Sequence, residues 1–108
     1  MYFYDPSERE TKELAPGVIA RTFWGDKMLV SIVELAPDTP LPAHSHPHEQ
    51  VGTVLEGSVT FTIAGESKAL ARGEVFVVPG GVEHSAHTGP EGATVMDVFS
   101  PVREEFKY

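Results

Sequence analysis

The chain has no cysteine. Disulfides and thiolate metal sites are therefore excluded, and any metal must be held by nitrogen and oxygen donors. Basic residues are scarce, with eight Lys and Arg against 16 Asp and Glu and a formal charge of −8 at pH 7. They form no run, so the electrostatic footprint of a phosphate backbone is missing, and neither nucleic acid nor an anionic membrane surface is expected as a partner. No apolar stretch approaches the roughly 20 residues of a transmembrane helix. Residues 1–6 lead straight into the polar stretch Ser7 to Glu13, with no basic segment followed by an apolar one. A secretory leader is not expected, and the cytoplasm is the expected location.

What is present fits one globular domain spanning 1–108, with 41% hydrophobic residues and enough length for one ordinary core. Nine prolines and ten glycines are spread along the chain, too densely for long helices. Between them lie short apolar segments. Strands are expected at Val18 to Trp24 and Met28 to Leu35, forming a hairpin, and at Gln50 to Leu55, with a turn at Glu56-Gly57. Ser58 to Ile63 alternates with the period of a half-buried strand. Ser67 to Ala71, Glu74 to Val78, His84 to Thr88 and Ala93 to Phe99 complete an all-β pattern of closed or sandwiched type. Only the C-terminus suggests a helical turn, with Ser100 as N-cap and Pro101 at the first helical position.

The five histidines fall in two clusters. In the first, Pro42-Ala43-His44-Ser45-His46-Pro47-His48-Glu49-Gln50, an extended backbone puts His44 and His46 on one face. Gln50 offers an amide oxygen at the start of the next strand. In the second, a Gly80-Gly81 turn delivers His84 into a strand. A histidine on an apolar strand is ordinarily a hydrogen-bonded core residue. Three imidazoles with an oxygen donor, however, suit one divalent transition metal ion, with Ni, Zn, Mn and Fe all compatible. Strand parity sends His87 to the face opposite His84, and Pro47 interrupts the strand before His48, so both read as supporting or surface residues.

The spacing of these clusters resembles the cupin family. His44-x-His46-x3-Gln50-x6-Gly57 follows the first cupin motif without its leading glycine, and Gly73-x5-Pro79-x4-His84-x3-Thr88 follows the second. Fifteen residues lie between Gly57 and Gly73. The resemblance implies a single-domain jelly-roll β-barrel with motifs at 44–57 and 73–88, and a metal bound by His44, His46, Gln50 and His84. The sequence departs from the family at Gln50, where cupins usually carry Glu, and at Thr88, where they carry Asn. A neutral amide leaves more positive charge on the metal and so a stronger Lewis acid.

Parity from Gln50 places Gly52 and Val54 inside. Glycine at 52 either leaves room for a substrate or marks a close approach of other groups. In the last strand Val95, Asp97 and Phe99 share one face, and an acid in such a run is costly if buried and unpaired. Arg103 reads by itself as a solvated charge among acidic neighbours. The pairing of His-x-His-Pro-His-x-Gln with Asp97-Val-Phe99-Ser-Pro-x-Arg103-Glu is similar to the KdgF-type pectin-degradation cupins. That likeness implies an enzyme that linearises 4,5-unsaturated uronate monosaccharides, with Asp97, Phe99 and Arg103 in the active site and an anionic sugar acid as substrate. Arg103, the metal and Arg21 would supply the local positive charge. An oxidative, dioxygenase-like cupin and a non-enzymatic sugar-binding module are the alternatives. The aromatic Tyr2-Phe3-Tyr4 would be a liability if exposed, and a homodimer that covers it is expected.

Overall fold

The computed structural model describes residues 2–108. Its eight strands are β1 (Lys12–Ala15), β2 (Val18–Trp24), β3 (Leu29–Leu35), β4 (Pro40–His44), β5 (Glu49–Ile63), β6 (Glu66–Ala71), β7 (Val75–Val78) and β8 (His84–Ser100). All pairings are antiparallel, in the order β1-β2-β3-β8-β5-β6, with β4 on β8 and β7 on β5. The all-β jelly-roll expectation holds, and so does the β2–β3 hairpin, which pairs Val18 with Leu35 and Trp24 with Leu29.

Two expected breaks are not breaks. Glu56-Gly57 does not end a strand, because β5 runs on from Glu49 to Ile63. Gly57 takes φ +74° and makes an irregularity in the pairing with β8, and a β-carbon there would collide with the Gly92 carbonyl oxygen. A left-handed glycine here bends the strand instead of reversing it. Gly92, at φ +71°, bends β8 opposite the same point, and Gly57 pairs with Ala93. The two long bent strands therefore each serve both layers of the roll. β5 pairs with the last part of β8 through residues 49–57 and with its first part through residues 59–63.

Period-two burial follows from this closure. On β2 the inward positions are Val18, Ala20 and Thr22, and on β3 they are Leu29, Ser31, Val33 and Leu35. Most of the inward side chains form one apolar core with Val54, Val59, Phe61, Phe76 and Val95, while Leu29, Phe99 and Val102 form a second cluster toward the C-terminus.

The helical turn at the C-terminus is a 3-10 turn at Glu104–Phe106, and Arg103, not Ser100, occupies its cap position. Ser100 instead closes β8 and donates its hydroxyl to the Lys27 carbonyl at 3.0 Å. A second 3-10 turn, Pro6–Glu8, lies near the N-terminus, where the Asp5 carboxylate accepts from the Ser7 amide at 2.9 Å. The sequence reading did not anticipate it. Tyr2 and Phe3 stand 91% and 88% exposed, and Tyr4 packs on Phe23 with ring centroids 5.3 Å apart. Among the described residues no helix is long and apolar enough to cross a membrane.

Candidate metal centre

His44 ends β4, His84 opens β8, and the two are register partners. β4 stops at His44, so His46 is not its strand neighbour as the two-residue spacing suggested. His46 is carried by the loop that follows. That loop is tied down by the Gly81 amide, which donates to the His46 carbonyl at 2.8 Å. Gly80 permits the approach, because a β-carbon there would meet the Pro47 carbonyl oxygen. The glycine pair thus supports both the histidine loop and the entry of His84.

The three imidazoles come together all the same. Each offers a ring nitrogen within 4.8 Å of the others, and His46 and His84 are buried. Ring centroids lie 4.3 Å apart for His44 and His84, and 4.9 Å apart for His46 and His84.

The second ring nitrogens explain the orientation. Nδ1 of His44, His46 and His84 lies 2.9, 3.0 and 2.9 Å from the carbonyl oxygens of Pro42, His48 and Val82. A carbonyl only accepts, so each Nδ1 carries a proton, and in the neutral ring it is Nε2 that presents the lone pair. Burial, above all, lowers the pKa of His46 and of His84, which keeps both rings neutral.

This donor set fits a cation. The Nε2 of His84 is buried without a partner. His46 Nε2 faces Gln50 Oε1 at 3.2 Å. With the proton on Nδ1 of His46, these are two lone pairs facing one another, an arrangement that a bound cation relieves. Gln50 is buried, and its Nε2 donates to Asp97 Oδ1 at 3.1 Å, which turns Oε1 toward the imidazoles.

A cavity of about 110 Å³ opens beside these groups. His44, Gln50, His84, Asp97, Phe99 and Arg103 line it, together with Ser31, Phe106 and an apolar floor that includes Val33, Leu35 and Val95. Asp97 faces inward and is 9% exposed, which the sequence left open. Burial pushes its carboxyl up to about 6, against the Gln50 hydrogen bond and the Arg103 charge. Arg103 is more than a solvated charge. Its guanidinium lies 4.0 Å from the Phe106 ring centroid and 5.0 Å from that of Phe99, with Glu105 at 3.4 Å. Phe99 meets His46 edge-on at 5.8 Å.

Five other residues are placed by the same packing. A β-carbon at Gly52 would run into the Phe76 ring and come within 2.6 Å of Asp97 Oδ1. The glycine makes room for the acid and the ring, not for a substrate. Arg21 points outward to Glu34 at 3.2 Å and does not contribute positive charge to the cavity. His87 is exposed, and His48 supports the site through its backbone carbonyl. Thr88 is structural. It accepts from the Thr39 amide at 2.9 Å and donates to the Ala36 carbonyl at 2.6 Å.

Sequence reasoning missed Ser31 and Phe106 as lining residues. A signal for Ser31 existed, because Glu34 marks the outward phase of β3 and so puts Ser31 inside. Phe106 comes from a tail whose path the sequence did not show.

Residues 31–99 match the cupin domain family. The chain belongs to the cupin family. This cupin is 30% identical to the pectin degradation protein KdgF of Dickeya dadantii (strain 3937) over 107 residues, 97% of this chain and 96% of that one. It matches the structure of an RmlC-like cupin from Shewanella frigidimarina NCIMB 400 with a TM-score of 0.93 and 28% identity, covering 99% of this chain and 96% of that one. It matches the structure of KdgF from Halomonas sp. with a TM-score of 0.92 and 25% identity, over 99% of each chain.

Proposed function

We propose that this cupin is a metal-dependent enzyme that opens the ring of 4,5-unsaturated uronate monosaccharides. The observation that carries the reading is the link between donor set and buried acid. Gln50 reaches from the imidazoles to Asp97, and Arg103 lines the same cavity. Similarity to KdgF proteins along nearly the whole chain supports it.

In this reading His44, His46, His84 and Gln50 hold one divalent first-row ion, with Ni, Zn, Mn and Fe all compatible with the donors. The ion supplies Lewis-acid polarisation of substrate oxygens. Arg103 binds the substrate carboxylate through its planar fork, and its stacking on Phe106 holds that fork in one plane. Phe99 packs between His46 and Arg103 and forms the wall against which the sugar lies. Asp97 transfers the proton. The anomeric hydroxyl gives up its proton and the bond from carbon 1 to the ring oxygen breaks. Carbon 1 becomes an aldehyde, and the electron pair on the former ring oxygen makes an enolate. A proton returned to carbon 4 converts this to the 2-oxo acid, so the product is an isomer and no oxidant is consumed.

The test follows the conjugated-alkene absorbance with the metal-loaded protein, alongside an oxygen electrode. Accelerated loss of absorbance without oxygen uptake is expected, and a chelator should stop it. Decay at the uncatalysed rate would sink the assignment, and oxygen consumption coupled to turnover would move the protein to the oxidative cupins.

A further inference from the structure

The sheet carries a transverse row of inward polar side chains beside the candidate site. Thr22 on β2 pairs in register with Ser31 on β3, and Ser31 pairs with Asp97 on β8. All three are buried. Two of them have partners. The Thr22 hydroxyl donates to the Phe106 carbonyl at 2.6 Å, and Asp97 accepts from Gln50. Ser31, between them, has none among the described residues. It is 0% exposed and its hydroxyl oxygen makes no hydrogen bond.

That is an expensive residue at this position. The other inward residues of β3 are Leu29, Val33 and Leu35, and alanine would occupy the space without leaving a buried hydroxyl unpaired. Ser31 also lines the cavity that holds Gln50, His84, Asp97 and Arg103. It is closed off from bulk solvent, and the cavity is the open space that its side chain adjoins. The lining carries one other hydroxyl, that of the half-buried Ser85. Arg103 only donates, and an ionised Asp97 only accepts. A serine hydroxyl does both, which suits a neutral hydroxyl of a ligand.

We propose that Ser31 is a substrate-binding residue whose hydroxyl pairs with a ring hydroxyl of the bound sugar acid, next to Asp97. The proposal rests on the uronate reading. It makes Ser31 a determinant of which oxygens the substrate must carry, distinct from the carboxylate grip of Arg103.

The test compares the full metal-loaded chain with Ser31→Ala and Ser31→Thr, measuring kcat and KM for the unsaturated uronate, metal content, and Tm without substrate. For Ser31→Ala, KM is expected to rise about tenfold, the scale of one hydrogen bond to a neutral group, with kcat held within about twofold. Metal content should match the wild type, and Tm should stay level or rise because an unpaired buried hydroxyl is gone. Ser31→Thr keeps the hydroxyl and should keep KM within about threefold of the wild type. Unchanged KM in Ser31→Ala overturns the proposal. So does a lowered Tm with KM unaffected, which marks a packing role, and so does an equal rise in KM for both variants, which marks an effect of shape. A wild-type protein that leaves the substrate at its uncatalysed rate defeats the uronate reading and this proposal with it, and that result is distinct from an active wild type with an indifferent Ser31→Ala.

Discussion

Gln50 donates from Nε2 to Oδ1 of Asp97 across 3.1 Å, and this bond decides which end of the amide faces the imidazoles. The carbonyl end, Oε1, is left 3.2 Å from His46 Nε2. An oxygen lone pair is thereby presented to the imidazole nitrogens, and a hydrogen-bond donor to the buried carboxyl of Asp97.

Replacing that amide by a carboxylate tests the arrangement. Gln50→Glu removes the donor and puts a second acid against Asp97, where two carboxyls in contact share a proton. The variant is expected to bind a divalent ion about tenfold more tightly in chelator competition, because the new ligand is charged. Its turnover is expected to fall about 100-fold, because Asp97 loses its orientation and exchanges its proton with the introduced carboxylate.

The raised pKa of Asp97 makes a prediction about the metal-free protein. Its folded-state value of about 6 lies above the ordinary 3.8, so the folded state holds the proton more tightly. Well below pH ~4 both states are protonated and nothing is lost. As pH rises from 3.8 through 6, the unfolded chain ionises first and stability falls, by about 3 kcal/mol in all. Asp97→Asn keeps an oxygen for Gln50 and has no such titration. In urea denaturation the variant's stability advantage should therefore grow across this window and level off near neutral pH. A constant difference from pH 4 to pH 8 would contradict the burial argument.

The histidines should separate into two classes. His84→Ala removes a buried lone pair from the cluster, and metal affinity is expected to fall at least about 1,000-fold by competition with a chromogenic chelator. His87→Ala removes an exposed ring on the other face of β8, and affinity should be unchanged. Equal effects of the two would show that the metal is not held where the imidazoles meet.

Gly52→Ala should be costly despite its size. The added methyl group collides with the Phe76 ring and crowds Asp97 Oδ1 at 2.6 Å. Overpacking of this kind costs about 1–3 kcal/mol, readable in urea denaturation. Because the acid is displaced as well, turnover should fall further than the loss of folded protein accounts for.

Much of the fold is legible along the chain. Strict alternation in Ser58 to Ile63 and the apolar runs of β2 and β3 give strand positions within a residue or so, because one buried face imposes a period of two. Gly57 was visible as a special position, but its meaning was not. A glycine at positive φ serves a reversal or a bulge equally well, and only the partner across the sheet, Ala93, tells which occurs. The same holds for residues 89–92, which bend β8 without ending it.

The sequence by itself determined that a metal here would meet nitrogen and oxygen, since cysteine is absent, and that His44, His46 and His84 belong together, since their spacing follows the cupin motifs. Tertiary structure decided the rest. It carried His46 to the cluster on a loop rather than a strand, turned Asp97 inward against Gln50, sent Arg21 outward and brought Phe106 and Arg103 from the tail to the cavity wall. The reason is physical. Spacing fixes which face of one strand a side chain takes, while burial, hydrogen-bond partner and charge environment depend on which other strands close over that face, and those can lie far away in the chain, as Leu29 and its register partner Phe99 do.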